Sequence, residues 1–193
     1  MTDIATVPAV LPSRTRRVLR RTARWTVRLL AVIGLFTVLR PFVCDITPMA
    51  SGSMAPTLQG DENGGDWVLT EKVSYWFRNP RRGDIVEFHD HEGVQIMKRI
   101  AGLPGEKIAI RDSRLQIDGK DVPAPPGAAA VKYYPYGSLG GGKAVTVEGG
   151  YFVLGDDSID SDDSRFEGTV ARERVRARAC FIVWPPGRIG WVH

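Results

Sequence analysis

Residues 94–100 read Val94-Gln95-Ile96-Met97-Lys98-Arg99-Ile100, a β-rich run with Gly93 before it and Gly102 after it. Taken as a strand, its period of two puts Val94, Ile96, Lys98 and Ile100 on one face and Gln95, Met97 and Arg99 on the other. Lys98 therefore shares an apolar face. Desolvation disfavours an ammonium there and can lower its pKa by several units, leaving a neutral amine at physiological pH. A lone lysine that snorkels past its neighbours would account for the same pattern. Working outward, residues 66–70, 84–88, 107–110, 114–117, 151–154 and 179–184 have the same texture, bounded by Gly, Pro, Asp or Asn. Asp118-Gly119 closes one of these runs with a hairpin-type turn. No segment after Leu39 sustains a 3.6-residue period for three turns. The expected fold is all-β, one domain of short antiparallel strands, of roughly 150 residues and large enough for one core. Residues 123–142, with PAPPGAAA and SLGGG, read as a surface insertion or mobile loop.

Upstream lies the apolar run 29–39 (LLAVIGLFTVL), extendable to 25–44 if Arg28 and Arg40 snorkel at its ends. About twenty helical residues span the hydrocarbon thickness of a bilayer. The expected division is a basic tail at 1–24, a single transmembrane anchor at 25–44 and a β-domain at 45–193. Residues 1–28 hold seven arginines against the single acid Asp3. By the positive-inside rule the N-terminus is cytoplasmic and the remainder extracytoplasmic. A cleaved signal peptide would need a small-x-small site after the apolar run. The chain instead continues Arg40-Pro41-Phe42-Val43-Cys44.

The net charge of +4 is smaller than the +6 carried by residues 1–28, so the folded part is slightly acidic. That argues against a nucleic-acid-binding domain, which spreads its basic charge over the folded surface. Two distant cysteines, Cys44 and Cys180, form no disulfide framework, and Cys180 reads as core. No Cys/His spacing suggests zinc, and His89-Asp90-His91-Glu92 reads as a solvated hairpin tip, so neither metal nor cofactor is expected. Trp76 and Phe77, beside Tyr75, read either as core or as a membrane-facing aromatic patch, with the balance slightly towards the membrane.

Four blocks carry the chemistry: Ser51-Gly52-Ser53-Met54-Ala55-Pro56-Thr57; Arg82-Gly83-Asp84-Ile85-Val86; Lys98-Arg99-Ile100-Ala101-Gly102-Leu103-Pro104-Gly105-Glu106; and an acidic stretch from Gly155-Asp156 through Ser161-Asp162-Asp163-Ser164-Arg165 to Gly168. The acidic stretch lacks the ligand spacing of a calcium loop. In this order, behind an anchor of this orientation, the blocks resemble the bacterial type I signal peptidases, serine proteases with a Ser-Lys dyad. The resemblance covers most of 46–168 but not a variable insertion at about 121–145, and the tail 181–190 (FIVWPPGRIG) looks like the family's closing strand.

By position, the resemblance implies Ser53 as nucleophile and Lys98 as its general base. Ser161 would orient the lysine amine, and Ser51 would add a hydroxyl to the Ser53 N–H in the oxyanion hole. Asp163 and Arg165 would brace the loop under the dyad; Met49 and Met97 would shape pockets for small residues, and Met54 would pack near the site. Two departures stand out: Ala50 where proline is common, and Asp157-Ser158 where Asn-Arg is usual. The second bears on the hydrogen bonding of that loop. The implied activity is removal of signal peptides after Ala-x-Ala, with preproteins and the bilayer as partners and a functional link to the export translocase. Rival readings are a specialised relative maturing a pilin or conjugation factor, a self-cleaving repressor, and a catalytically dead binding module. The repressor would need an N-terminal DNA-binding helix pair, and an intact Ser53, Lys98 and Ser161 argue against the dead module.

Overall fold

The computed structural model describes residues 13–61, 64–124 and 131–192, and the chain forms two compact units that meet between Pro41 and Phe42. The first is built on helix α1, Ser13–Val43. Arginine and leucine are both good helix formers, so the basic segment and the apolar run share one helix. Its apolar side chains, from Val18 through Trp25 and Phe36 to Phe42, are exposed. The segment Arg16–Val43 is long and apolar enough to cross a membrane. The described part of the 1–24 tail is helical from Ser13 onward, while residues 1–12 lie outside the described residues. At the other end Cys44 is not in the helix. Pro41 has no amide N–H to continue the helical ladder, and Cys44 opens strand β1 instead.

The second unit holds eleven strands among the described residues: β1 (Cys44–Pro48), β2 (Trp67–Glu71), β3 (Ile85–His89), β4 (Gln95–Gly102), β5 (Lys107–Arg111), β6 (Arg114–Ile117), β7 (Lys120–Asp121), β8 (Val145–Thr146), β9 (Phe152–Leu154), β10 (Val175–Trp184) and β11 (Gly190–Trp191). One sheet runs β1-β2-β10-β3-β4-β9 with β11 on β10; a smaller one runs β7-β6-β5-β8. All pairings are antiparallel. "All-β" holds only approximately. Besides α1, the described residues include one-turn helices α2 (Ser74–Phe77) and α3 (Ser164–Glu167) and four short 3₁₀ segments between the strands.

Three apolar clusters fill the unit. One joins Ile108, Ile110, Leu139 and Phe152; a second joins Met49, Met54, Ile85 and Met97; a third joins Val86, Phe88, Ile100 and Val153. The stretch read as a surface insertion is partly core, because Tyr133 and Leu139 are buried in the first cluster. Its residues 125–130 lie outside the described residues. Val94 also departs from expectation. Asp90 Oδ1 accepts hydrogen bonds from the N–H groups of Glu92 and Val94, which holds Val94 in the hairpin turn, 53% exposed.

Candidate active site

Two adjacent residues of β4 face different clusters: Met97 packs with Met49 and Met54, whereas Ile96 and Ile100 pack with Val86 and Phe88. Lys98 lies opposite Val86 in the ladder and is only 4% exposed. Its Nζ is 2.8 Å from Ser53 Oγ and 3.0 Å from Ser161 Oγ. Burial pushes the Lys98 pKa down; the carboxylates of Asp163 and Asp162 oppose that shift, and Arg165 reinforces it.

Ser53 is buried in the 3₁₀ turn Gly52–Met54. Its carbonyl accepts a hydrogen bond from the Asp157 N–H at 3.0 Å, tying it to the acidic loop. That approach requires glycine at 155, since a Cβ there would collide with Ser161 Oγ and with the Ser53 carbonyl oxygen. Ser51 Oγ lies 3.3 Å from Ser53 Oγ.

Ser161 Oγ donates to Asp163 Oδ2 at 2.9 Å, so its lone pairs remain for a proton of the Lys98 amine. Asp163 caps α3 and pairs with Arg165, whose Nε and Nη2 each donate at 2.8 Å. Both side chains are fully buried. Arg165 also donates to the Ser158 carbonyl and hydroxyl, at 2.8 and 2.7 Å. Ser158 Oγ accepts from the Tyr134 N–H as well. The unusual Asp157-Ser158 pair therefore builds its own network: Asp157 Oδ1 accepts from the Ile159 and Asp160 N–H groups.

The sequence reading missed a second buried ion pair. Arg99 donates from Nε and Nη2 to the two oxygens of Asp156, at 2.8 and 2.6 Å, and Thr57 donates to the same carboxylate. These residues follow Lys98, Gly155 and Pro56 directly, so one cluster joins all three stretches around the site. A signal was available. Two consecutive basic residues in a strand buried on both faces cannot both reach solvent, so each needs an internal partner. Among the described residues no group of three or more His, Cys, Asp and Glu is arranged to hold a metal ion; of the stretch read as a hairpin tip, His89 is the last residue of β3, and only Asp90–Glu92 lie in the turn to β4.

A serine hydroxyl within hydrogen-bond reach of a desolvated amine is an arrangement able to generate an alkoxide-like nucleophile without histidine. The family model described as signal peptidase, peptidase S26, matches residues 22–184. A signal peptidase I of Leptolyngbya laminosa is 35% identical over 176 residues, spanning 82% of this chain and 79% of that protein. The signal peptidase I of Bacillus caldolyticus is 32% identical over 174 residues, spanning 86% and 92%. The chain belongs to the signal peptidase family, peptidase S26. Its function within that family is that of a signal peptidase I, a protease. A crystal structure of a signal peptidase I from Enterococcus faecalis V583 is 34% identical, covers 52% of this chain and 97% of that one, and has a TM-score of 0.44.

Proposed function

We propose that this signal peptidase works through Ser53 and Lys98 as a catalytic dyad, cutting preproteins after small residues on the extracytoplasmic side of the membrane. The observation that carries the reading is the 2.8 Å separation between Ser53 Oγ and the buried Lys98 Nζ. As an ammonium, Lys98 donates to Ser53. As a neutral amine it accepts the Ser53 proton while Oγ bonds to the scissile carbonyl carbon and the carbonyl electrons move to oxygen. The Ser53 N–H and the Ser51 hydroxyl are the donors offered to that oxyanion. The lysine ammonium then hands its proton to the departing amine as the C–N bond breaks. A water attacks the acyl ester, gives its proton to Lys98, and the carboxylate leaves as Ser53 recovers its hydrogen. Ser161 orients the amine throughout, held by Asp163.

Membrane attachment fits the same reading. The Lys72 N–H donates to the Val43 carbonyl, at the end of α1. Four residues on, Trp76 and Phe77 are 60% and 84% exposed, whereas Tyr75 is buried. This aromatic ledge would rest in the bilayer interface and hold the site where a preprotein emerges from the export translocase.

The test is cleavage of a purified preprotein by the full chain in lipid vesicles, with the product's new N-terminus sequenced. Ser53→Ala and Lys98→Ala should each abolish cleavage, and the double variant should be hardly worse than either single, because the pair acts as a unit. Ser51→Ala should keep partial activity. Near-normal turnover by Lys98→Ala would exclude lysine as the base.

A further inference from the structure

The face of the larger sheet that carries Met97 is not uniform in character. Close to the nucleophile it is apolar, formed by Met49, Met54, Ile85 and Met97. Farther along, polar residues replace them. Glu87 is the cross-strand partner of Met97, is 5% exposed, and sits in a strand otherwise buried on both faces. A buried carboxylate requires donors or a counter-charge. Glu87 forms no ion pair among the described residues, and the one side-chain donor it meets there is Thr47, at 3.2 Å. Thr47 Oγ1 in turn accepts from Gln95 Nε2 at 3.0 Å.

A second observation points the same way. Thr70 is fully buried, and its Oγ1 has no hydrogen-bond partner among the described residues. In the ladder, Glu87 pairs with Ala177 and Thr70 with Ala179. The two alanines are two apart on one strand, so Glu87 and Thr70 flank the same face across β10. Only the small side chains of Ala177 and Ala179 stand opposite them on β10.

Among the described residues the larger sheet leaves strand edges unpaired beside this face. The β1 edge is the end of the sheet, and β9 pairs with β4 only from Arg99 onward. Gln95–Lys98 therefore offers an unpaired edge next to Thr47, and an extended peptide can add there by backbone hydrogen bonding. In such a peptide the residues one and three positions before the cut point to the same face, roughly 7 Å apart. On the function proposed above, Met49 and Met97 line the pockets of those residues. Glu87 and Thr47 then border the deeper part of the pocket for the third residue before the cut.

We infer that this pocket is polar and selects a small hydroxyl side chain, serine or threonine, at the third position before the cleavage site. The substrate hydroxyl would donate to the Glu87 carboxylate, satisfying a lone pair that the protein leaves open. A site built to hydrogen-bond a substrate hydroxyl discriminates strongly against an isostere that lacks one.

The experiment uses the full chain in vesicles and a preprotein varied only at that position: alanine, threonine, valine or lysine. Threonine and valine have the same shape, so their ratio isolates the hydroxyl. Threonine should exceed valine in kcat/KM by on the order of tenfold, the worth of one charge-assisted hydrogen bond. Glu87→Val should reverse that preference and still cleave the alanine substrate. Glu87→Gln, which keeps the shape and the hydrogen bond to Thr47, should retain a reduced threonine preference and serves if the valine variant does not fold. Equal rates for threonine and valine, or an unchanged ratio in both variants, would overturn the inference. A preference for lysine over threonine would also overturn it, by making the pocket a cation site. Loss of cleavage of all four substrates by the wild-type chain would instead reject the underlying activity, and the pocket with it.

Discussion

Arg99 grips Asp156 through two parallel hydrogen bonds, with both side chains essentially sealed from solvent. The pair links the strand that carries Lys98 to the loop whose Asp157 N–H holds the Ser53 carbonyl. Removing one partner leaves a bare buried charge. Asp156→Ala should therefore cost about 3–5 kcal/mol of stability, read as a shifted denaturant midpoint. Thr57→Val, which removes a single donor to the same carboxylate, should cost about 1–3 kcal/mol. Arg99→Met with Asp156→Leu should cost less than the sum of the two singles, because no charge is then stranded.

Gly155 offers a sharper geometric test. A methyl group there would meet Ser161 Oγ and the backbone carbonyl of Ser53 at once, and only the hydroxyl can rotate away. Gly155→Ala, which would also meet the Ser161 Cβ, is expected to displace the Ser53 turn or Ser161 from Lys98. A displacement of about 1 Å can cost a hundredfold in rate. The expected result is a fall of about that size in kcat with KM nearly unchanged, measured on the same preprotein. Wild-type kcat in Gly155→Ala would show that the loop relaxes without moving the nucleophile.

How much of this could be read from the residues is itself instructive. The alternation across 94–100 located β4 and separated Lys98 from Met97, because a period of two is enough to assign faces. Strand β10 was recovered only in its second half. Its first half, Val175-Arg176-Ala177-Arg178, sets one valine and one alanine against two arginines, and so short and basic a run gives little β signal although Ala177 is fully buried. The glycine-rich stretch around Leu139 looked like solvent-facing chain, since composition averages over the few side chains that anchor it. The Arg99–Asp156 pair spans 57 residues, and tertiary pairing at that separation leaves no local pattern. Glu87 was hidden for a related reason: a glutamate in a strand looks solvated until the neighbouring strands that bury it are in place.

Orientation can be checked on sealed, right-side-out membrane vesicles. The arginine-rich start of α1 predicts a cytoplasmic N-terminus, so external protease should degrade residues beyond Val43 without detergent. A C-terminal domain that resists until the membrane is broken would reverse the assignment.

The last prediction concerns protons on Lys98. Burial lowers its pKa from the ordinary lysine value of about 10.4, so the rising limb of kcat/KM against pH should lie below that value. Asp162 is exposed, and its charge favours the ammonium. Asp162→Asn should move the limb to lower pH while leaving the denaturant midpoint nearly unchanged. Stability follows the same linkage. Between the folded and unfolded pKa values the unfolded chain binds more protons than the native one, so native stability gains as pH rises. Below the folded pKa, Lys98 destabilises the fold by its full amount; above the unfolded pKa that penalty is gone. Lys98→Met, of similar length and without charge, should be inactive and at least as stable as wild type at neutral pH. Its advantage over wild type should shrink steadily as pH approaches the unfolded lysine value. A limb that tracks an ordinary lysine, or a Lys98→Met chain markedly less stable at neutral pH, would mean that Lys98 is not held as a desolvated base.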